Sequence, residues 1–229
     1  SITGGVYNDT LVYQQGGVSS FNGNGGVDTL YADLSTWTSN VILTNDGSLQ
    51  TLTNSETESL MVSNIERLLI QTGSGADTIS NTVFETNDEI VTGAGNDSVN
   101  AGAGSDRIDV GAGDDVIHVS GASGQDIVDG GTGRDTLNID WSNQTLIQHS
   151  FILENSSGDQ YRQFVHYESG LDEIRSLNIQ ATSHAYGSGW SNGGYWNGSI
   201  YVQYVSAVDV HYQNFETINI IGSSSNDLL

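Results

Sequence analysis

The sequence predicts an all-β chain, a flattened right-handed parallel coil of nonapeptide half-turns carrying two β-rich insertions. Three observations lead there. From Thr92 to Asn138 the chain repeats about every nine residues, as TGAGNDSVN, AGAGSDRID, VGAGDDVIH, then GASGQDIVD after two extra residues, then GGTGRDTLN. Every unit holds two glycines, an aspartate (Asp97, Asp106, Asp115, Asp126, Asp135) and, two places later, an aliphatic (Val99, Ile108, Ile117, Val128, Leu137). The segments that lead out of and back into the repeats also occur twice. DTLYADLS at 28–35 matches DTLNIDWS at 135–142, and NIERLLI at 64–70 matches NFETINI at 214–220.

The spacing has a physical reading. The glycines permit positive φ and a tight turn that leaves carbonyls uncovered, and the aspartate closes that turn with an anionic oxygen. The next three residues make one short strand whose central aliphatic points inward, because side chains alternate across a strand. With two nonapeptides per full turn, residues 18 apart stack, so Asp97 lies above Asp115, and Asp106 above Asp126 with a small bulge. Carboxylates and carbonyls from successive turns then form an oxygen-only cage. Such a cage suits Ca²⁺, which takes about 6–8 oxygens at about 2.3–2.6 Å. A Gly/Asp-rich flexible linker is the bland alternative, but a linker has no reason to place an aliphatic at every ninth position.

Taken in order, residues 1–31 hold degenerate copies, GGVYNDTLV with Asp9 and Leu11 and GNGGVDTLY with Asp28 and Leu30. Residues 32–71 break the period as a first insertion. Val41–Leu43 and Leu49–Leu52 read as strands of a hairpin around Asn45-Asp46-Gly47. The main array spans 72–139 and opens with TGSGADTIS, which supplies Asp77 and Ile79. Next comes VFETNDEIV, which keeps Asp88 and Ile90 but has no glycine. One edge should carry Asp77, Asp97, Asp115 and Asp135, the other Asp88, Asp106 and Asp126. A second insertion fills 140–221, and 222–229 begins a further repeat with Asp227. Ending in mid-repeat and starting without Met or a leader pattern, the chain reads as a single domain cut from a longer protein.

These repeats resemble the RTX (repeats-in-toxin) family, whose nonapeptide G-G-x-G-x-D-x-U-x builds a Ca²⁺-binding parallel β-roll. The resemblance covers the turns near Asp9 and Asp28, residues 72–139 and the last eight; the insertions lie outside it. It implies that turns two repeats apart share an ion, with glycine and neighbouring carbonyls completing the shell. The implied ligand set is Asp77, Asp97, Asp106, Asp115, Asp126 and Asp135, with Gly93, Gly95, Gly102, Gly104, Gly111, Gly113, Gly121, Gly124, Gly131 and Gly133. Asp9, Asp28, Asp88, Asp114 and Asp227 form a second rank; the turn before Asp88 departs from the pattern. Asp109, Asp114 and Asp129 read as solvent-facing, although Asp114 sits in a turn. The resemblance also implies a secreted or cell-surface protein of a Gram-negative bacterium, exported unfolded by a type I machine and folded outside by calcium.

Composition narrows the function classes. Twenty-eight acidic residues against five arginines and no lysine give a net charge of −23, which repels nucleic acid and anionic membranes. Eleven aspartates lie between Asp77 and Asp140, so the charge is concentrated in the repeats. No cysteine is present, which removes disulfides and thiol chemistry and is compatible with export of unfolded chain. No apolar run is long enough to span a bilayer. Histidines 118, 149, 166, 184 and 211 are scattered without HxxxH or HExxH spacing, so no catalytic centre is expected.

The second insertion contains Trp190, Tyr195, Trp196 and Tyr201 among Gly, Ser and Asn. Flat rings amid small polar residues suit a surface for glycan or a cell-surface partner. The plainer reading is a strand at Tyr201–Val205 packed on the coil, its rings capping the apolar end. The two function classes are therefore a calcium-dependent folding module and a ligand-binding domain on the same scaffold.

Overall fold

The computed structural model describes residues 1–13, 16, 18–54, 58–120 and 124–140. Beyond these it describes the strands at 150–155, 160–165, 176–190, 194–196, 201–203 and 208–221, by their backbone pairing. The described residues are all-β, with no helix. In chain order the strands are β1 (Ile2–Thr3), β2 (Thr10–Tyr13), β3 (Val18–Asn22), β4 (Thr29–Asp33), β5 (Ile42–Thr44), β6 (Gln50–Thr53), β7 (Ser59–Ser63) and β8 (Arg67–Gln71). They continue as β9 (Thr78–Ser80), β10 (Glu89–Val91), β11 (Ser98–Asn100), β12 (Arg107–Asp109), β13 (Val116–Ser120), β14 (Gly124–Asp129) and β15 (Thr136–Asp140).

Two parallel ladders result, β2-β4-β8-β10-β12-β14 and β5-β9-β11-β13-β15. From β8 to β15 consecutive strands alternate between them, as a coil of half-turns requires. Register puts the repeat aliphatics in columns: Ile70, Ile90, Ile108 and Val128 on one ladder, and Leu43, Ile79, Val99, Ile117 and Leu137 on the other. All are buried, and full burial of such a side chain stabilises by about 1.5–3 kcal/mol. These columns supply nine of the 26 buried hydrophobic residues found among the described ones, and the remainder gather mostly toward the N-terminal end.

The first insertion differs from the expected hairpin. The Asn45-Asp46-Gly47 turn is present: Asp46 Oδ1 accepts from Ser48 N at 2.9 Å, and Gly47 has φ +82°. Its flanking strands do not pair with each other, however. β5 runs parallel to β9, while β6 runs antiparallel to β7. Leu43 and Leu52 each reach full burial this way, from two different sheets, so the turn makes an arch. Toward the N-terminus, β1, β3 and β7 pair parallel in a separate four-stranded sheet that β6 completes. Tyr13, Phe21 and Trp37 fill that end with edge-on rings, Tyr13 lying 6.4 Å from Phe21 and 6.3 Å from Trp37 between centroids.

After the second insertion the chain rejoins the coil. β16 (Ser150–Asn155), β17 (Gln160–Val165) and β18 (Ser176–Trp190) pair antiparallel. β19 (Gly194–Trp196) and β20 (Tyr201–Gln203) make a separate two-stranded hairpin. β20 covers the first three residues of the strand expected at Tyr201–Val205; Tyr204 and Val205 lie outside the described residues. β21 (Val208–Ile221) lies parallel to β14 through its first half and to β15 through Thr217–Ile221.

Candidate metal centre

Each repeat aspartate is buried and performs the same first task. Its Oδ1 accepts a backbone N–H of the preceding turn, from Asp97 onward that of the aspartate there: Asp97 from Asp77 at 2.7 Å, Asp115 from Asp97 at 2.7 Å and Asp135 from Asp115 at 2.9 Å. On the other edge Asp106 accepts from Asp88 at 2.8 Å and Asp126 from Asp106 at 2.9 Å. The contact survives at spacings of both 18 and 20, so the extra residues are absorbed elsewhere in the half-turn. Asp28 does the same for Asp9 N at 2.7 Å. Outside this ladder runs an exposed one made by the preceding residue: Asn96 accepts from Asp114 N, and Asp114 from Arg134 N, both at 3.0 Å. Asp114 is thus an exposed turn residue with a backbone partner. Asp109 and Asp129 are half-buried, not solvent-facing, because they stand side by side on β12 and β14.

Oδ2 of Asp77, Asp97 and Asp115, and of Asp28, is buried with no hydrogen-bond partner. Burying an unpartnered carboxylate oxygen is costly. Burial pushes the carboxyls of Asp77, Asp88, Asp97, Asp106 and Asp115 upward, Asp106 and Asp115 to about 7. At Asp115 the neighbouring charges of Asp97, Asp135 and Asp114 add to the rise.

Asp88 is the exception. Its Oδ1 accepts from Leu68 N at 2.9 Å and Thr86 Oγ1 at 3.1 Å, and its Oδ2 from Asn81 Nδ2 at 2.6 Å. Protein donors take the place that a cation would hold, at the turn that has lost its glycines. Asn81 and Thr86 carry no repeat signature, and sequence reasoning missed them.

The glycines set how closely the turns stack. At Gly111 (φ +83°) and Gly113 (φ +154°) an added Cβ would overlap the carbonyl oxygens of Gly93 and Gly95 respectively. Carbonyls of one turn therefore lie against the Cα atoms of the next, beside the carboxylates. Among the described residues no three His, Cys, Asp or Glu side chains converge as a ready-made metal group. The donors on offer are carboxylate pairs completed by backbone carbonyls, all of them hard oxygens. Orphaned buried oxygens, glycine-only stacking and an oxygen donor set all fit a calcium ion. Gly121 and Asp227 lie outside the described residues, as do the side chains of Trp190, Tyr195, Trp196 and Tyr201.

A parallel coil with one buried aspartate per half-turn, and unpartnered buried oxygens at Asp77, Asp97 and Asp115, defines a metal-binding repeat array. Residues 84–117 and 118–138 match the family model of the RTX calcium-binding nonapeptide repeat, in four copies. The array consists of RTX repeats, and Ca²⁺ is the ligand of that repeat type. The match spans about a quarter of the 229 residues. No curated protein matches the chain.

Proposed function

We propose that this chain is a calcium-dependent folding module of an exported protein, with the edge of Asp77, Asp97, Asp115 and Asp135 as its principal ion ladder. The observation that carries the reading is the set of buried, unpartnered Oδ2 atoms at Asp77, Asp97 and Asp115. Without a cation the coil closes only by burying like-charged oxygens. Calcium, when bound, supplies the positive charge that offsets that cost. The chain's own groups do the rest. Oδ1 of each aspartate holds the turn below, the glycines let carbonyls approach, and the aliphatic columns close as the turns stack. Metal-binding energy thereby becomes folding energy. Asp106 and Asp126 form the second edge, with glycine carbonyls of both edges completing the shells.

Export follows from the same chemistry. A chain of net charge −23 without cysteine repels itself where calcium is scarce, and compacts where calcium is abundant. Among the described residues no helix is long and apolar enough to cross a membrane. The test is calorimetric titration of the metal-free chain with Ca²⁺ and with Mg²⁺. Several calcium ions should bind, with Mg²⁺ a poor substitute because it demands compact octahedral geometry and holds its water. Absence of calcium uptake would overturn the proposal.

A further inference from the structure

We propose a further cation site where the coil resumes after its first insertion, built from Asp28, Glu66 and the carbonyl of Asn64; it rests on the reading of the aspartate ladder as calcium ligands. Glu66 occupies the position of a repeat aspartate although nothing in the nonapeptide pattern marks it. Its Oε2 accepts from Asp28 N at 2.7 Å, the contact that Asp97 makes with Asp77 N. The residue after it, Arg67, donates to Asp28 O at 2.9 Å, as Val116 after Asp115 donates to Asp97 O at 2.9 Å. Glu66 therefore stands to Asp28 as Asp115 stands to Asp97.

The turn that brings it there is shorter than a repeat turn. Six residues run from Gly23 to Asp28, but only three from Asn64 to Glu66, although Gly23 and Asn64 stack on each other. The extra methylene of glutamate spans the difference. Asn64 adopts φ +50°, a left-handed conformation that asparagine tolerates better than most residues. In that conformation its carbonyl oxygen and Asp28 Oδ2 meet at Gly23, where a Cβ would strike both. Asp28 is fully buried, and that Oδ2 has no hydrogen-bond partner. The Glu66 carboxylate held on the Asp28 N–H, a carbonyl and an unpartnered buried oxygen make a donor set for a hard divalent cation.

The duplicated segments repeat the backbone register at the second return, with Glu216 in the sequence place of Glu66. Thr136 pairs with Thr217 as Thr29 pairs with Arg67. Thr217 N donates to Asp135 O at 3.0 Å, and Glu216 immediately precedes it, in the register of Glu66. Each excursion would thus be locked by an ion at the point where the chain rejoins the coil.

The experiment counts calcium ions bound at saturation by the full chain, by equilibrium dialysis, for wild type, Glu66→Gln, Glu216→Gln and Asp115→Asn. Glutamine keeps an oxygen for Asp28 N but removes the charge, so a purely structural cap survives it. The expected result is one ion fewer in Glu66→Gln and likewise in Glu216→Gln, with an unchanged circular dichroism spectrum in saturating calcium. Wild-type stoichiometry and an unshifted isotherm in Glu66→Gln would overturn the site. If Asp115→Asn loses an ion and Glu66→Gln does not, the ladder stands and the return site fails. If wild type binds no calcium, the ladder itself fails. Should Glu66→Gln not fold, Asp28→Asn removes charge from the opposite side of the same site and is read against the same count.

Discussion

Asp115 and Asp88 occupy equivalent turns, yet replacing each by asparagine should have opposite signatures. Asp115→Asn keeps an amide oxygen for Asp97 N, now held at 2.7 Å, so the ladder's backbone contact persists. What disappears is the charge beside a buried oxygen that has no protein partner. An interaction with a charged group contributes about 1.5–3 kcal/mol. If about three ions are taken up in one step, that loss moves the calcium midpoint of folding upward by roughly two- to fivefold. Asp88→Asn removes a charge whose two oxygens are already supplied by Leu68 N, Thr86 Oγ1 and Asn81 Nδ2. The new amide sets a donor against a donor at Asn81, costing about 1–3 kcal/mol of stability. This cost is the same in calcium-saturated protein, and the number of ions bound is unchanged. The assay is a calcium titration followed by circular dichroism, paired with thermal melts at saturating calcium. Asp88→Asn reducing the ion count, or Asp115→Asn leaving the midpoint in place, would refute the assignment of cation and donor turns.

Other outcomes follow from the same geometry. Gly111→Ala forces a Cβ onto the Gly93 carbonyl at a positive φ, and should cost at least about 1 kcal/mol and raise the calcium midpoint, read by the same titration. Ile117→Ala empties one fully buried position of an aliphatic column. It should lower calcium-saturated stability by about 2–5 kcal/mol in denaturant melts while leaving the ion count intact. Acid should favour the metal-free coil: Asp106 and Asp115, pushed up to about 7, hold protons in the folded array that the unfolded chain releases near about 4. The destabilisation is absent below about 4, grows as pH rises and is complete above about 7. In metal-free buffer the β signal should therefore be stronger at pH 4.5 than at pH 8, and an equal or reversed signal would contradict the burial argument.

The array was legible because each of its residues does one local job that the sequence repeats. Ile79, Val99, Ile117 and Leu137 align in one column, and the aspartates stack in two edges. What escaped were roles set by partners distant in sequence. Asn-Asp-Gly at 45–47 reports its own turn but not which sheets its strands join, so an arch read as a hairpin. The departure of the Asp88 turn from the repeat pattern was visible in its missing glycines. Its replacement donors were not, since Asn81 and Thr86 acquire that role only by proximity in the folded turn. Glu66 was hidden for a related reason, lying 38 residues from Asp28 and carrying a longer side chain than the pattern specifies. The matching segments at 64–70 and 214–220 were the one signal that pointed to it.

The most direct test of calcium-driven closure is far-ultraviolet circular dichroism of the full chain, first with metal removal verified and then through a Ca²⁺ titration at pH 8. Buried, like-charged carboxylates without a cation predict largely unfolded chain at the start and a cooperative gain of β signal as calcium is added. A metal-free chain that already shows its full β spectrum at that pH, unchanged by calcium, would contradict the account.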